Sequence, residues 1–218
     1  MPQPEKAQPL LAFLEFQAVY ESPDFEISRR PTVMSAVFEA LRPWNITLTN
    51  VSMKENPANV GEVAIIFSLE YGRISLSVGI GGSTLLVTNP DWSQEQLISE
   101  IAMAGLQALQ SSGEVRFRQY LLNLVMHVKP EHLTLREVSA DFLSFRSPKI
   151  SGPTVKARGF SVYADDFSWV VDSSAMYEGA LFLKILRSFG ISASFQEMAA
   201  ALRADQNELL GALHLTVD

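Results

Sequence analysis

Two periodicities alternate along the chain and divide it into elements. From Leu11 to Tyr20 apolar residues alternate loosely, with Phe13, Phe16, Val19 and Tyr20 among them, which predicts a strand. After Pro31 and Thr32 the spacing changes. Val33, Met34, Val37, Phe38 and Leu41 fall on one face of a short helix, which Pro43 should end because a proline pushes the residue before it out of the α region. From Asn45 to Val51 the period returns to two and predicts a further strand, followed by a turn at Asn56-Pro57-Ala58-Asn59.

A β-meander is expected next, with strands near 62–70, 73–80 and 84–88. Tyr71-Gly72 and Gly81-Gly82-Ser83 stand where tight turns want positive φ. Asn89-Pro90-Asp91 closes it, and Asp91 with Gln94 has capping-box spacing for a helix from about Trp92 to Gln110. Its core stripe would be Leu97, Ile98, Ile101, Gly105, Ala108 and Leu109, and Ser111-Ser112-Gly113 should stop it. Then come a long strand, Val115 to Val128, a helix from Glu131 to about Phe142, and a linker-like stretch at Ser147-Pro148 and Ser151-Gly152-Pro153. The last third predicts strands at Val155–Tyr163, Phe167–Asp172 and Ala180–Phe189. A capping box at Ser194–Glu197 opens a final helix, which Asp205 to Glu208 could break and restart.

These elements predict an α+β protein with antiparallel sheet and helices packed on one face. It divides into a disordered tail (1–9), an N-terminal meander-and-helix half (10–113) and a C-terminal half (114–218), which could equally form one continuous domain. An ungapped alignment of Ser77–Asn89 with Ser161–Ser173 matches strand, turn and strand, with identities only at Ser77/Ser161, Val78/Val162 and Val87/Val171. That is compatible with an internal repeat and equally with the generic likeness of any two hairpins. The stretch from Ala18 to Thr88, through Ala18–Pro31 and the strands after it, is faintly similar to the meander of the bacterial export chaperone SecB. The long strand and second β unit depart from that pattern, the matches are too generic to define membership, and no ligand residue carries over.

Composition narrows the classes. With 218 residues, 47% apolar and 19% charged, the chain is no disordered polymer. The net charge of −7 argues against a nucleic-acid or anionic-membrane partner. With no cysteine, thiolate catalysis, disulfides and Cys-based metal sites are excluded. The amino terminus lacks the basic and long apolar regions of a signal peptide, and no run reaches transmembrane length, so a cytoplasmic protein is expected.

Candidate chemistry is sparse. His127, His132 and His214 have no second ligand at metal spacing, and Asp165-Asp166 with Asp172 lack the calcium-loop pattern, so no metal is assigned. Gly79-Ile80-Gly81-Gly82 completes neither a dinucleotide nor a phosphate loop, so no cofactor is assigned. Charge is uneven: residues 114–158 hold eight basic and four acidic side chains, leaving nine basic and twenty acidic elsewhere. Arg116 and Arg118 share a strand face within that segment.

Apolar residues on both faces at Ala64–Phe67, Leu121–Met126 and Ala180–Leu186 point to a second cover and so to a homodimer. The expected function is a non-catalytic binding or assembly module, with a protein or peptide as a further partner, acting through a sheet face or a cleft between halves. The alternative is a motif-poor enzyme with a polar site near residues 114–158, for which Arg116, Arg118, His127 and Asp172 are the candidate site residues.

Overall fold

The computed structural model describes residues 4–54, 63–113, 115–135, 137 and 159–217. Ten strands form one sheet: β1 Glu5–Tyr20, β2 Val51–Lys54, β3 Ala64–Leu69, β4 Ile74–Gly79, β5 Gly82–Thr88, β6 Phe117–Pro130, β7 Phe160–Tyr163, β8 Phe167–Ser173, β9 Leu181–Phe189 and β10 Leu215–Val217. Their order is β2-β3-β4-β5-β1-β6-β9-β8-β7, with β10 added to β1. Both meanders are antiparallel, and the short β10 joins β1 in parallel. Among the described residues three α-helices, α1 Pro31–Leu41, α2 Glu95–Gly113 and α3 Phe195–Ala212, complete the α+β architecture.

By density of contacts the chain forms two units. One comprises 1–12, 124–187 and 201–218; the other comprises 13–123 and 188–200. Neither is continuous in sequence, so the division does not fall at 113/114. The region expected to be a linker, at 147–153, lies outside the described residues, as do the turn at 56–59 and most of the helix expected after Glu131.

In the unit containing 13–123, strict alternation builds the core. Ile65, Phe67 and Leu69 of β3, Ile74, Leu76 and Val78 of β4, and Leu85 and Val87 of β5 are buried, while their neighbours are half-buried. Helix α2 lies on this buried face. A Cβ added to Gly105 would stand 2.5 Å from Leu76 Cδ2, so any larger residue there would force the buried Leu76 side chain to shift. Helix α1 presents Val33, Val37 and Leu41, all fully buried, and packs along α2. Aromatic rings extend the core: Phe16 lies 5.4 Å from Tyr120 and 5.5 Å, edge-on, from Phe195. Each such pair adds roughly 0.5–1.5 kcal/mol beyond its buried area.

Several expectations are corrected here. Residues 45–50 are no strand: Thr47 N–H donates to Asn50 Oδ1 at 3.0 Å and a single 3-10 turn follows, so local side-chain bonds outcompete the ladder until Val51. Glu70, Tyr71 and Gly72 do turn through positive φ, but Gly81 and Gly82 do not. Gly82 is glycine for another reason, since a Cβ there would lie 2.6 Å from the Ala18 carbonyl oxygen of the paired strand. Asp91 caps its helix through Ser93 N–H at 2.8 Å, yet no reciprocal box forms because Gln94 accepts from Arg73 instead.

In the other unit β7, β8 and β9 repeat the meander form. Trp169, Val171, Leu181, Leu183 and Ile185 are buried on one face. β1 runs back to Glu5, into residues read as a tail, because Glu5 to Ala7 pair with Leu215 to Val217. The Ser194–Glu197 box forms, with Glu197 N–H donating to Ser194 Oγ at 3.2 Å and Ser194 N–H to Glu197 Oε2 at 2.8 Å. Helix α3 passes Asp205 without a break. The alignment of 77–89 on 161–173 superposes hairpin β4–β5 on β7–β8, but the next element is a helix in one case and a strand in the other.

Candidate functional site

The sequence candidates fall into two separate places, one in each unit. In the unit containing 13–123, Arg116 precedes β6, which starts at Phe117, and Arg118 stands within the strand; both are exposed. Neither makes an ion pair among the described residues. Five basic members of the 114–158 segment, Arg136, Arg146, Lys149, Lys156 and Arg158, lie outside the described residues.

Arg116 lines a cleft of about 410 Å³ with Tyr20, Glu21, Ser22, Pro23, Asp24, Phe25, Glu26 and Val115. The backbone holds its walls. Glu21 N–H donates to the Arg116 carbonyl at 2.9 Å, Tyr20 N–H to Gly81 at 3.1 Å and Asp24 N–H to Ile80 at 2.8 Å. The segment after β1 is thereby tied to the turn between β4 and β5 and to the residue that precedes β6. The Asp24 carboxylate is committed to Arg30, at 3.0 Å, whereas Glu21 is exposed and makes no ion pair among the described residues. Tyr20 is 4% exposed, and its hydroxyl is buried without a hydrogen-bond partner. An unsatisfied buried group of this kind costs roughly 1–3 kcal/mol. Burial, aided by the nearby Asp24 charge, raises its pKa far above the usual tyrosine value, so the hydroxyl stays a donor. Sequence reasoning found Arg116 through charge. It missed Tyr20 and Glu21, because a tyrosine ending an apolar strand reads as core.

His127 and Asp172 belong to the other unit. His127 lies among Leu124, Met126 and Val128 of β6 but points to the opposite face, and it is only 5% exposed. The rings of Tyr177 and Phe182 meet it edge-on at 5.6 and 5.4 Å. Its Nδ1 is 2.9 Å from Ser174 Oγ, which already accepts N–H groups from Met176 at 3.1 Å and Tyr177 at 3.0 Å. The serine proton is therefore directed at Nδ1, which assigns the imidazole proton to Nε2. Burial lowers the His127 pKa, and the ring is neutral at pH 7. Asp172, the ladder partner of Phe182, accepts from Ser173 N–H at 2.7 Å and Gly159 N–H at 3.3 Å. Both residues are thus engaged in holding local backbone. Among the described residues no three His, Asp or Glu side chains converge as a metal site would require. Asp166 lies 3.6 Å from Arg187, and His132 and His214 are exposed on turns.

A further surface is the other face of β1, β3, β4 and β5. Two ladder rows cross it: Ser68, Ser75, Leu86 and Glu15, then Ile66, Ser77, Thr84 and Gln17. All eight are half-buried, and no described helix lies on them. The face is apolar at Ile66 and Leu86 and otherwise mostly small hydroxyls, a surface without concentrated charge. No helix among the described residues is long and apolar enough to cross a membrane.

The architecture defines an α+β sheet protein with its helices on one face. No family model matches the chain, and no curated protein matches it. Among solved structures it is similar to the M. kandleri SerRS crystallised in complex with A. aeolicus tRNASec, at 14% identity and a TM-score of 0.35, over 94% of this chain and 31% of that one. The chain thus spans about a third of that protein's length. A second similarity is to the di-domain ARO/CYC BexL from the BE-7585A biosynthetic pathway, at 8% identity and a TM-score of 0.25, over 93% of this chain and 97% of that one.

Proposed function

We propose that the protein is a non-catalytic binding or assembly module that works through the helix-free face of β1, β3, β4 and β5, and that this face first meets a second copy of the chain. The observation that carries the reading is Ile66 and Leu86, in two neighbouring rows among small hydroxyls, half-buried with no described helix above them. Flat, weakly polar sheet faces associate by excluding water, and small side chains let a second sheet approach closely. An enzyme would need convergent polar groups, whereas His127 bonds Ser174 and Asp172 bonds the backbone of Ser173 and Gly159.

Size-exclusion chromatography with light scattering tests this on the full chain. At micromolar concentration the expected mass is twice the 24.1 kDa of one chain, and Leu86→Lys should return it to the single-chain value. A wild-type mass of one chain across that range would overturn the dimer. A dimer indifferent to both Leu86→Lys and Ile66→Lys would move the contact off this face.

A further inference from the structure

We infer that the cleft between the end of β1 and the start of β6 is a binding site for a small zwitterion of the amino-acid class. Three features of the cleft converge on that chemistry. Arg116 lines the cleft and makes no ion pair among the described residues, and the planar fork of its guanidinium suits a carboxylate. Glu21, whose backbone N–H is bonded to the Arg116 carbonyl at 2.9 Å, makes no ion pair among the described residues and offers its carboxylate to an ammonium group. Pro23, Val115 and the 63%-exposed Phe25 give an apolar wall to the ligand's side chain. A cation and an anion held one hydrogen-bonded residue apart match a molecule carrying both charges, and neither a simple acid nor a simple amine uses both.

Tyr20 lines the cleft, and its hydroxyl, closed off from solvent in the free chain, is a donor for which nothing in the described structure accepts. Proteins rarely leave such a group unpaired, and a ligand oxygen beside Arg116 would pair it by displacing the ring enough to open the hydroxyl to the cleft. The volume, about 410 Å³, lies within the usual range of small-molecule sites. The backbone bonds to Ile80, Gly81 and Arg116 fix the walls before anything binds, which lowers the ordering cost of association.

Calorimetric titration of the full chain with three matched probes tests the inference: L-phenylalanine, 3-phenylpropionate, which lacks the ammonium, and phenethylamine, which lacks the carboxylate. L-phenylalanine should saturate the protein with a Kd on the order of 1 mM or below, and each one-charge analogue should bind about tenfold or more weakly. Arg116→Gln should weaken L-phenylalanine and 3-phenylpropionate but not phenethylamine, and Glu21→Gln should do the reverse for the two charged analogues. Tyr20→Phe keeps the ring and removes only an unpaired hydroxyl. It should raise the unfolding midpoint of the free chain while weakening L-phenylalanine, a combination that simple damage to the fold cannot produce. Failure of L-phenylalanine to saturate, equal binding of all three probes, or binding indifferent to both charge variants would overturn the site. Leu86 and Ile66 lie outside the cleft, so this result and the oligomeric state stand or fall separately.

Discussion

The meander β3–β5 leads into α2, and the meander β7–β9 leads into α3, yet the two hold their helices by different forces. Between β4 and α2 the contact is apolar and close: Gly105 against Leu76, with Ile98, Ile101, Ala102, Leu106 and Leu109 of the helix buried. Helix α3 also buries Met198, Leu202 and Leu209, but an ion pair joins it to β9. Arg187 Nη1 is 3.0 Å from Asp205 Oδ1, its other amino group 3.6 Å from Asp166, and its Cζ 5.5 Å from the centre of the Phe167 ring. Asp205 is 6% exposed, and its Oδ2 has no partner. The first contact depends on volume and should ignore pH. The second depends on charge, and the proton decides its strength.

The sharpest way to break that contrast is to remove the cation. Arg187→Gln leaves the Asp205 carboxylate buried beside Asp166 and should cost about 3 kcal/mol at pH 7, below the top of the range for breaking a buried pair because Arg187 is partly exposed. The sign of the pH effect follows from Asp205. Desolvation outweighs Arg187 and raises its pKa above 3.8 in the folded chain. Its contribution to stability is therefore complete below the unfolded pKa and is lost as pH rises through the folded one. Removing Arg187 enlarges that loss, so urea unfolding should show the variant's deficit shrinking toward pH 4. A deficit constant from pH 4 to pH 7 would mean that the ion pair is not what holds α3.

The apolar contact yields to bulk instead. Gly105→Val forces atoms against a Leu76 side chain that is 2% exposed, and overpacking of this kind costs about 2 kcal/mol. The loss should be the same at pH 5 and pH 8. If Gly105→Val unfolds no earlier than wild type, α2 is free to move off the sheet and the closeness of this contact is not required.

How much of this contrast was legible in the sequence depends on how local its cause is. The meanders and α1 were legible because period-two runs, Gly72 and Pro31 each act within a few residues. The 45–50 stretch was misread because Thr47 and Asn50 bond across one turn, a preference that alternation does not register. Asp205 shows the deeper limit. Its spacing to Glu208 suggested a helix restart, but its role is set by Arg187, eighteen residues away in sequence and adjacent only in the fold. Tyr20 is similar: its ring made it look like core, and only three dimensions reveal the hydroxyl without a partner. Arg116 was legible as an unbalanced charge, while the Glu21 that faces the same cleft was one acid among many.

The smallest expected effect sharpens the comparison by asking whether charge governs the second meander on its other face too. His127 is buried there against Tyr177 and Phe182, and burial holds its pKa below the usual 6.5. Protonation would put a second N–H against Ser174 Oγ, whose lone pairs already serve Met176 and Tyr177, so geometry and desolvation both oppose the charged ring. A histidine with a depressed folded pKa binds more protons unfolded than folded. Stability is therefore lost as pH falls below 6.5, opposite in sign to the Asp205 effect and at higher pH. His127→Gln should flatten the wild-type slope between pH 6.5 and pH 5 and leave the Asp205 window untouched. Equal slopes in the two proteins would show that the imidazole is hydrated and that the Tyr177–Phe182 cover opens freely, and the ionic character of this meander would then end at Arg187.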